Sequence, residues 1–143
     1  MKFKYIIFLL FCVLFLQGSQ RSLKIKSKYR HLKLIDEWFF LSMETITYNA
    51  EEEKEVIMQD EKNVETLSFH RSGSMSFVSM NNGKEKKGRG LWLVKDENIR
   101  IIALTDTIDA TYNIDNGILT LTTSENETDE FYGFTSIVKY KNK

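Results

Sequence analysis

Side chains suited to proton transfer or nucleophilic attack are scarce in this sequence. Histidine occurs only at His31 and His70, and cysteine only at Cys12. His70 lies two residues before Ser72, but the sequence contains no Gly-x-Ser-x-Gly motif and no evident acid to orient the imidazole. A zinc site would have to consist mainly of carboxylates, which is unusual. We therefore expect no enzymatic activity, no catalytic residues, no metal and no cofactor.

Acidic side chains are concentrated in one short stretch. Paired carboxylates can act as acid and base only where contrasting environments separate their pKa values. Adjacent glutamates in a solvated loop have no such contrast, so the stretch is predicted to be a hydrated loop that can include a helical turn. Its members are Glu51, Glu52, Glu53, Glu55, Asp60 and Glu61.

A glycine pair stands out as a possible phosphate-binding element. Gly88-Arg89-Gly90 is too short for a phosphate loop and leads into a predicted strand, so no helix N-terminus is available to hold the anion. The flanking Lys84, Lys86 and Lys87 are predicted to belong to a charged hairpin.

The N-terminal residues indicate export. Lys2 and Lys4 precede an apolar run at 6–16, which is followed by small and polar residues at 17–20. The run of about eleven residues is shorter than the roughly 20 that span a bilayer. We predict a signal peptide at 1–18 and a periplasmic or extracellular location. Phe11 occupies the position before Cys12 where lipoprotein signals place a small residue, which argues against lipidation.

Removal of the signal peptide changes the charge and the covalent chemistry of the chain. It leaves 143 − 18 = 125 residues, enough for one domain with its own core. It removes two of the 20 basic residues, so the formal charge becomes 18 − 20 = −2. It also removes the single cysteine, which excludes disulfides. A nearly neutral, exported domain is not expected to bind nucleic acid.

A basic leader is predicted between the signal peptide and the domain, at residues 19–33. It either touches a membrane surface or an acidic partner, or is simply a solvated segment. No transmembrane segment is expected after signal cleavage, and the protein is expected to be a monomer. The basic side chains of the leader are Arg21, Lys24, Lys26, Lys28, Arg30 and Lys33.

From Asp36 onward the sequence predicts short strands separated by turns. Asn82-Gly83 and Asn116-Gly117 supply the positive φ angles of tight hairpins. The segments between the turns are rich in β-branched and aromatic residues, and several alternate between apolar and polar positions. Leu67 and Phe69, for example, alternate with Thr66, Ser68 and His70. We predict eight strands at 38–48, 64–70, 74–80, 90–94, 99–104, 108–114, 117–123 and 130–140.

Short links between successive strands indicate that each strand pairs with its sequence neighbour. The predicted fold is therefore all-β, an eight-stranded antiparallel up-and-down meander that closes into a barrel and so removes its free edges. The barrel domain is predicted to span 34–143.

Several segments together resemble the bacterial lipocalin-like domain, a small exported β-barrel. They are a first strand opening on Trp38, the stretch 67–77 (LSFHRSGSMSF), the stretch 90–94 (GLWLV) and the stretch 112–121 (YNIDNGILTL). The resemblance covers nearly all of the chain after about Leu32. It implies a lipocalin-like barrel with a closed end, where Trp38 packs, and an open end that can admit an apolar ligand.

The resemblance and the strand alternation together name candidate ligand contacts inside the barrel. Eight strands enclose just enough space to be filled by side chains or to hold one small ligand. The inward-pointing aromatic residues are either contacts to a ligand or core. The candidates are Phe40, Phe69, Phe77, Trp92 and Tyr112.

Two functional hypotheses follow. The preferred one is an exported lipocalin-like protein that binds a small hydrophobic or amphipathic ligand inside the barrel. The alternative is a structural or protein-interaction module of the bacterial envelope, with a solid core and no ligand. An apolar cavity of roughly 300 Å³ or more would favour the first. An interior filled by Trp38, Phe69, Phe77 and Trp92 would favour the second.

Overall fold

The computed structural model describes residues 32–81, 83–103 and 106–143. The predicted signal peptide, Cys12 and the leader as far as His31 lie outside these residues. One 3₁₀ turn, Leu32–Leu34, precedes nine strands. These are β1 (Glu37–Tyr48), β2 (Glu52–Met58), β3 (Asn63–Phe69), β4 (Ser74–Asn81), β5 (Lys84–Lys95), β6 (Asn98–Ala103), β7 (Asp106–Asp115), β8 (Ile118–Glu125) and β9 (Gly133–Asn142).

Eight of the nine strands close into an antiparallel barrel. Each strand from β3 to β9 pairs with the next, and β1 completes the ring by pairing with both β3 and β9. The predicted all-β, eight-stranded antiparallel barrel is therefore confirmed. Within the described part of the chain, no helix is long and apolar enough to cross a membrane.

The ninth strand, β2, corrects the prediction of a hydrated loop for the middle of the acidic stretch, whereas Glu51, Asp60 and Glu61 lie outside the strand. Glu52–Met58 pairs with Ser42–Tyr48 of β1 in an antiparallel hairpin. Glutamate is a poor strand former, but β-propensity largely reflects how well a side chain fits its surroundings. Six of the seven β2 residues are exposed, so their charges stay hydrated while β1 supplies the backbone hydrogen bonds.

β2 and β3 lie one after the other along the same edge of β1. A strand has two edges, and β9 occupies one of them from Trp38 to Tyr48. The other edge pairs with β3 at 37–39 and with β2 at 42–48. Between β2 and β3 the chain turns at Asp60, whose Oδ1 accepts hydrogen bonds from the backbone N of Lys62 at 2.7 Å and of Asn63 at 2.8 Å.

β5 is longer than predicted. It includes the lysines of the predicted charged hairpin and both glycines of the Gly88-Arg89-Gly90 segment. Gly88 and Gly90 face inward at points of close approach. A Cβ at Gly88 would overlap the ring of Phe77, and one at Gly90 would overlap the backbone of Ile102. The two glycines therefore allow close packing against the neighbouring strands.

The hairpin between β7 and β8 has the tight Asn-Gly turn that the sequence predicts. Asn116 and Gly117 adopt φ angles of 48° and 74°, as a type I′ turn requires at both central positions. This turn sets the register in which Ile114 faces Leu119.

Leu34 and Trp38 are buried together where β1 begins. Leu34 is fully buried, and its carbonyl accepts a hydrogen bond from the indole Nε1 of Trp38 at 3.0 Å. Trp38 is 1% exposed, so the prediction that its side chain belongs to the core is confirmed. The largest fully buried side chains are Trp38, Trp92, Tyr140, Phe69, Phe77, Leu34, Leu67, Met75, Ile99, Ile101, Leu119 and Leu121.

Candidate functional site

The five aromatic residues predicted to point inward do so. Phe40, Phe69, Phe77 and Trp92 belong to the buried core, and Tyr112 is half-buried and packs against it. Each comes from a different strand, and the five strands are β1, β3, β4, β5 and β7.

Edge-to-face contacts join the aromatic rings. The rings of Phe69 and Trp92 lie 5.5 Å apart with an interplanar angle of 67°. Those of Phe40 and Tyr140 lie 6.1 Å apart at 72°. Trp92 also donates its indole N–H to the carbonyl of His70 at 3.1 Å. Both ring pairs therefore have the edge-to-face geometry that aromatic side chains prefer, and the buried indole N–H of Trp92 has a hydrogen-bond acceptor.

The four side chains that would discriminate a solid core from a pocket are packed. Trp38, Phe77 and Trp92 each keep 1% of their surface exposed, and Phe69 keeps 2%. A side chain lining a cavity large enough for a ligand would retain surface toward it. A ligand could therefore reach these four side chains only if the barrel opened, which favours the solid-core hypothesis.

Tyr112 is the most accessible of the five candidates. Its backbone N donates to the carbonyl of Glu97 at 2.8 Å, and its hydroxyl donates to the carbonyl of Asp96 at 3.4 Å. Burial, together with the charge of Glu97, raises the pKa of the Tyr112 hydroxyl. Tyr112 therefore ties the β5–β6 turn to β7.

A polar group inside the barrel was not predicted. Glu65 is 5% exposed, and Thr45 and Ser79 are also buried. Glu65 and Ser79 are directly paired across β3 and β4, and Ser79 is paired with Lys86 of β5. Because directly paired residues point to the same side of a sheet, these three side chains share the inner face.

Tyr140 satisfies the buried carboxyl of Glu65. Its hydroxyl donates a hydrogen bond to Oε1 of Glu65 at 2.5 Å. Burial raises the pKa of Glu65 to about 7, and the Tyr140 hydrogen bond opposes that shift. The pKa of Tyr140 is raised well above its ordinary value by burial and by the adjacent carboxyl.

The alternation of inward and outward residues along β3 could have predicted that Glu65 faces the interior. Leu67 and Phe69 are predicted to face inward, and Glu65 lies two residues before Leu67, on the same side of the strand. Hydrophobicity alone would assign it to the surface, because glutamate is rarely buried without a partner. Its partner, Tyr140, is 75 residues away and could not be paired with it from the sequence.

The outer edge of β2 is a second candidate site. Among the described residues β2 pairs only with β1, so the backbone groups on its other side are available to another strand. Val56 and Met58 on the outer face are 51% and 62% exposed. Glu53 and Glu55 lie on the opposite face and are also exposed. We call this strand edge, with its side chains, the β2 edge.

No protein-family model matches this sequence, and no curated protein matches it. The resemblance to the bacterial lipocalin-like domain therefore stays a prediction. So do export and the role of the five aromatic residues.

His70 and the serines that follow it, which were considered above for nucleophilic catalysis, have side-chain contacts with one another. His70 follows β3, and its Nε2 lies 3.3 Å from Oγ of Ser76. Ser72 Oγ lies 2.7 Å from Oγ of Ser74. In the part of the chain that the structure describes, no three metal-binding side chains converge. His31 lies outside those residues.

Proposed function

We propose that this protein is an exported interaction module of the bacterial envelope, a barrel with a solid core that binds a partner through the β2 edge. The observation that carries the proposal is the seven-residue strand β2, which has one paired edge and one open edge among the described residues. The packed interior supports it, because burial of the aromatic side chains leaves the outer surface as the place for recognition.

An open strand edge is a general device for binding extended peptides. Its N–H and C=O groups supply affinity, and the side chains on alternate sides supply specificity. Proteins that avoid such pairing shorten or charge their edges. The first half of β2 is charged, whereas Val56 and Met58 in the second half are apolar and exposed.

Site-specific photocrosslinking in living cells tests this function. A photoreactive residue at position 56 or 58 should crosslink the protein to a partner. The same residue at Thr111, an exposed position on the outer face of β7, should not. Equal crosslinking from β2 and from β7, or none from β2, would refute a docking role for this edge.

A second candidate function is the binding of a small amphipathic molecule, as the lipocalin-like resemblance implies. It is favoured by one observation, the three buried polar side chains Glu65, Thr45 and Ser79 among buried side chains that are otherwise apolar. A polar headgroup or an amine could hydrogen-bond to Glu65 in place of Tyr140. Native mass spectrometry of protein purified from its own envelope tests it: a copurified molecule that is lost in Glu65→Gln supports ligand binding, and its absence under gentle conditions argues against it.

A further inference from the structure

We propose that the occupant of the β2 edge is the basic leader of a second copy of this chain. The inference rests on the proposed function, because it names the partner of the same edge. Two matched leader–edge pairs would form a symmetric dimer, in which each chain gives its leader and receives that of the other. The leader segment in question is residues 23–30, with the sequence LKIKSKYR.

The leader segment has the alternation of a strand with two different faces. Its basic side chains occupy every second position, from Lys24 to Arg30, and Leu23, Ile25 and Tyr29 lie at positions between them. In an extended strand this spacing places the four basic groups on one side and the apolar groups on the other.

The β2 edge has the complementary pair of faces. Glu53 and Glu55 are paired with Thr47 and Thr45 of β1, so they lie on the inner side of the sheet. Val56 and Met58 lie on the outer side, and both are exposed. A strand added at this edge can therefore place its basic side chains against the glutamates and its apolar side chains against Val56.

The glutamates of the β2 edge are available for such a pairing. Lys54 forms an ion pair with Glu44 of β1, with 2.9 Å between Nζ and Oε1. Among the described residues, neither Glu53 nor Glu55 has an ion-pair partner. An added basic strand would compensate the repulsion between these carboxylates and Glu51, which is also exposed.

Chain length places the full pairing between two copies. Leu32 lies in the turn that precedes β1, and Arg30 and Lys28 are two and four residues before it, within about 7 and 14 Å along the chain. Glu55 pairs with Thr45, which is eight residues and about 27 Å along β1 from Glu37. The chain is long enough to bring Lys24 to the glutamates of its own β2 edge, whereas Lys28 and Arg30 fall short of them, so pairing along the whole leader segment needs a second copy. The prediction of a monomer does not take this edge into account.

A charge-swap experiment tests the dimer. Chains are expressed from residue 1 and purified as the host processes them, and sedimentation velocity measures the dimer. One variant reverses the leader and a second reverses the edge. The substitutions are Lys24→Glu, Lys26→Glu and Lys28→Glu in the first, and Glu51→Lys, Glu53→Lys and Glu55→Lys in the second.

We expect wild type to dimerise and each variant alone to raise the dimer Kd by about tenfold or more, because like charges then face each other. An equimolar mixture of the two variants should restore the dimer, because both of its interfaces become matched. A chain carrying both reversals should also dimerise, and this outcome shows that the reversed β2 still folds. A wild-type monomer, or a dimer indifferent to both reversals, would overturn the proposal.

The outcomes also separate this inference from the proposed function. If wild type is monomeric but position 56 crosslinks to a different protein, the β2 edge is a docking site with another partner. If neither a dimer nor a crosslink is found, both proposals fail. A monomer that sediments with phosphatidylglycerol vesicles, and loses that binding on leader reversal, would assign the leader to a membrane surface instead.

Discussion

Tyr140 and Glu65 form a hydrogen bond inside the barrel, with 2.5 Å between the hydroxyl and carboxyl oxygens. Both side chains are almost fully excluded from solvent. They come from β9 and β3, the two strands that flank β1, so the hydrogen bond spans the strand that closes the barrel. A carboxyl in this position makes stability depend on its protonation.

The first prediction concerns the pH dependence of stability. The pKa of Glu65 rises from 4.5 in the unfolded reference to about 7 in the fold, so the folded state holds its proton more tightly. The contribution of Glu65 to the free energy of unfolding is therefore greatest below pH 4.5. It falls as the pH rises from 4.5 to about 7, and then levels off. The loss is on the order of 3 kcal/mol.

Glu65→Gln should remove this dependence, because the amide stays neutral and its oxygen can still accept from Tyr140. Urea unfolding between pH 4.5 and 8 measures it. Asp109→Asn is the control: Arg100 hydrogen-bonds to Asp109 and lowers its pKa, so its contribution is lost only as the pH falls on the acid side. A wild-type stability that is flat from pH 4.5 to 8 would contradict the assignment to Glu65.

The second prediction concerns the other half of the pair. Tyr140→Phe leaves the carboxyl without its donor, so the pKa of Glu65 should rise further and the fall in stability should extend to higher pH. At pH 8, where Glu65 is charged, the variant should lose about 1–3 kcal/mol. The matched control is Tyr132→Phe, because Tyr132 is 56% exposed. Equal losses in the two variants would show that the Tyr140 hydroxyl has no special role.

Local sequence patterns predicted most of the barrel because its strands bury one face and expose the other. Alternation placed Leu67, Phe69 and Phe77 inward, and Asn116-Gly117 marked a hairpin through its two positive φ angles. These features depend on neighbouring residues alone. For the same reason the strand ends differ from the prediction where pairing with another strand, as in β5, extends the ladder.

The features that the sequence did not reveal depend on partners distant along the chain. β2 is a strand because β1 is long enough to pair with both β2 and β3 on one edge, and its glutamates alone do not indicate this. Glu65 is buried because Tyr140 reaches it from the other side of β1. Both parts of the candidate site thus follow from the closure of the barrel around β1.

The third prediction tests the close packing of β4 on β5. Gly88→Ala would place a methyl group into the ring of Phe77 and should destabilise the fold by about 1–3 kcal/mol. Phe77→Leu shortens the opposing side chain, so the double variant should lose less than the sum of the two single losses. Urea unfolding of all four chains in the cycle measures the difference. Strict additivity would show that Gly88 and Phe77 do not constrain each other.

The fourth prediction separates a packed interior from one that is ready to bind a ligand. Phe69→Ala removes a ring that is 2% exposed and contacts Trp92 edge to face. The loss of packing should cost about 3–5 kcal/mol of stability. The void it leaves is apolar, and such voids stay dry and accept small apolar molecules such as benzene.

Calorimetric titration with benzene provides the measurement, with tryptophan fluorescence, to which Trp92 beside the void contributes, as a second readout. The variant should bind benzene and be stabilised by it, whereas wild type should bind none, because its ring already fills the space. The control is Val78→Ala, which removes an exposed side chain from the outer face of β4 and should create no binding. If wild type binds benzene as well as Phe69→Ala does, the interior already holds a usable space, and the small-ligand function becomes the better proposal.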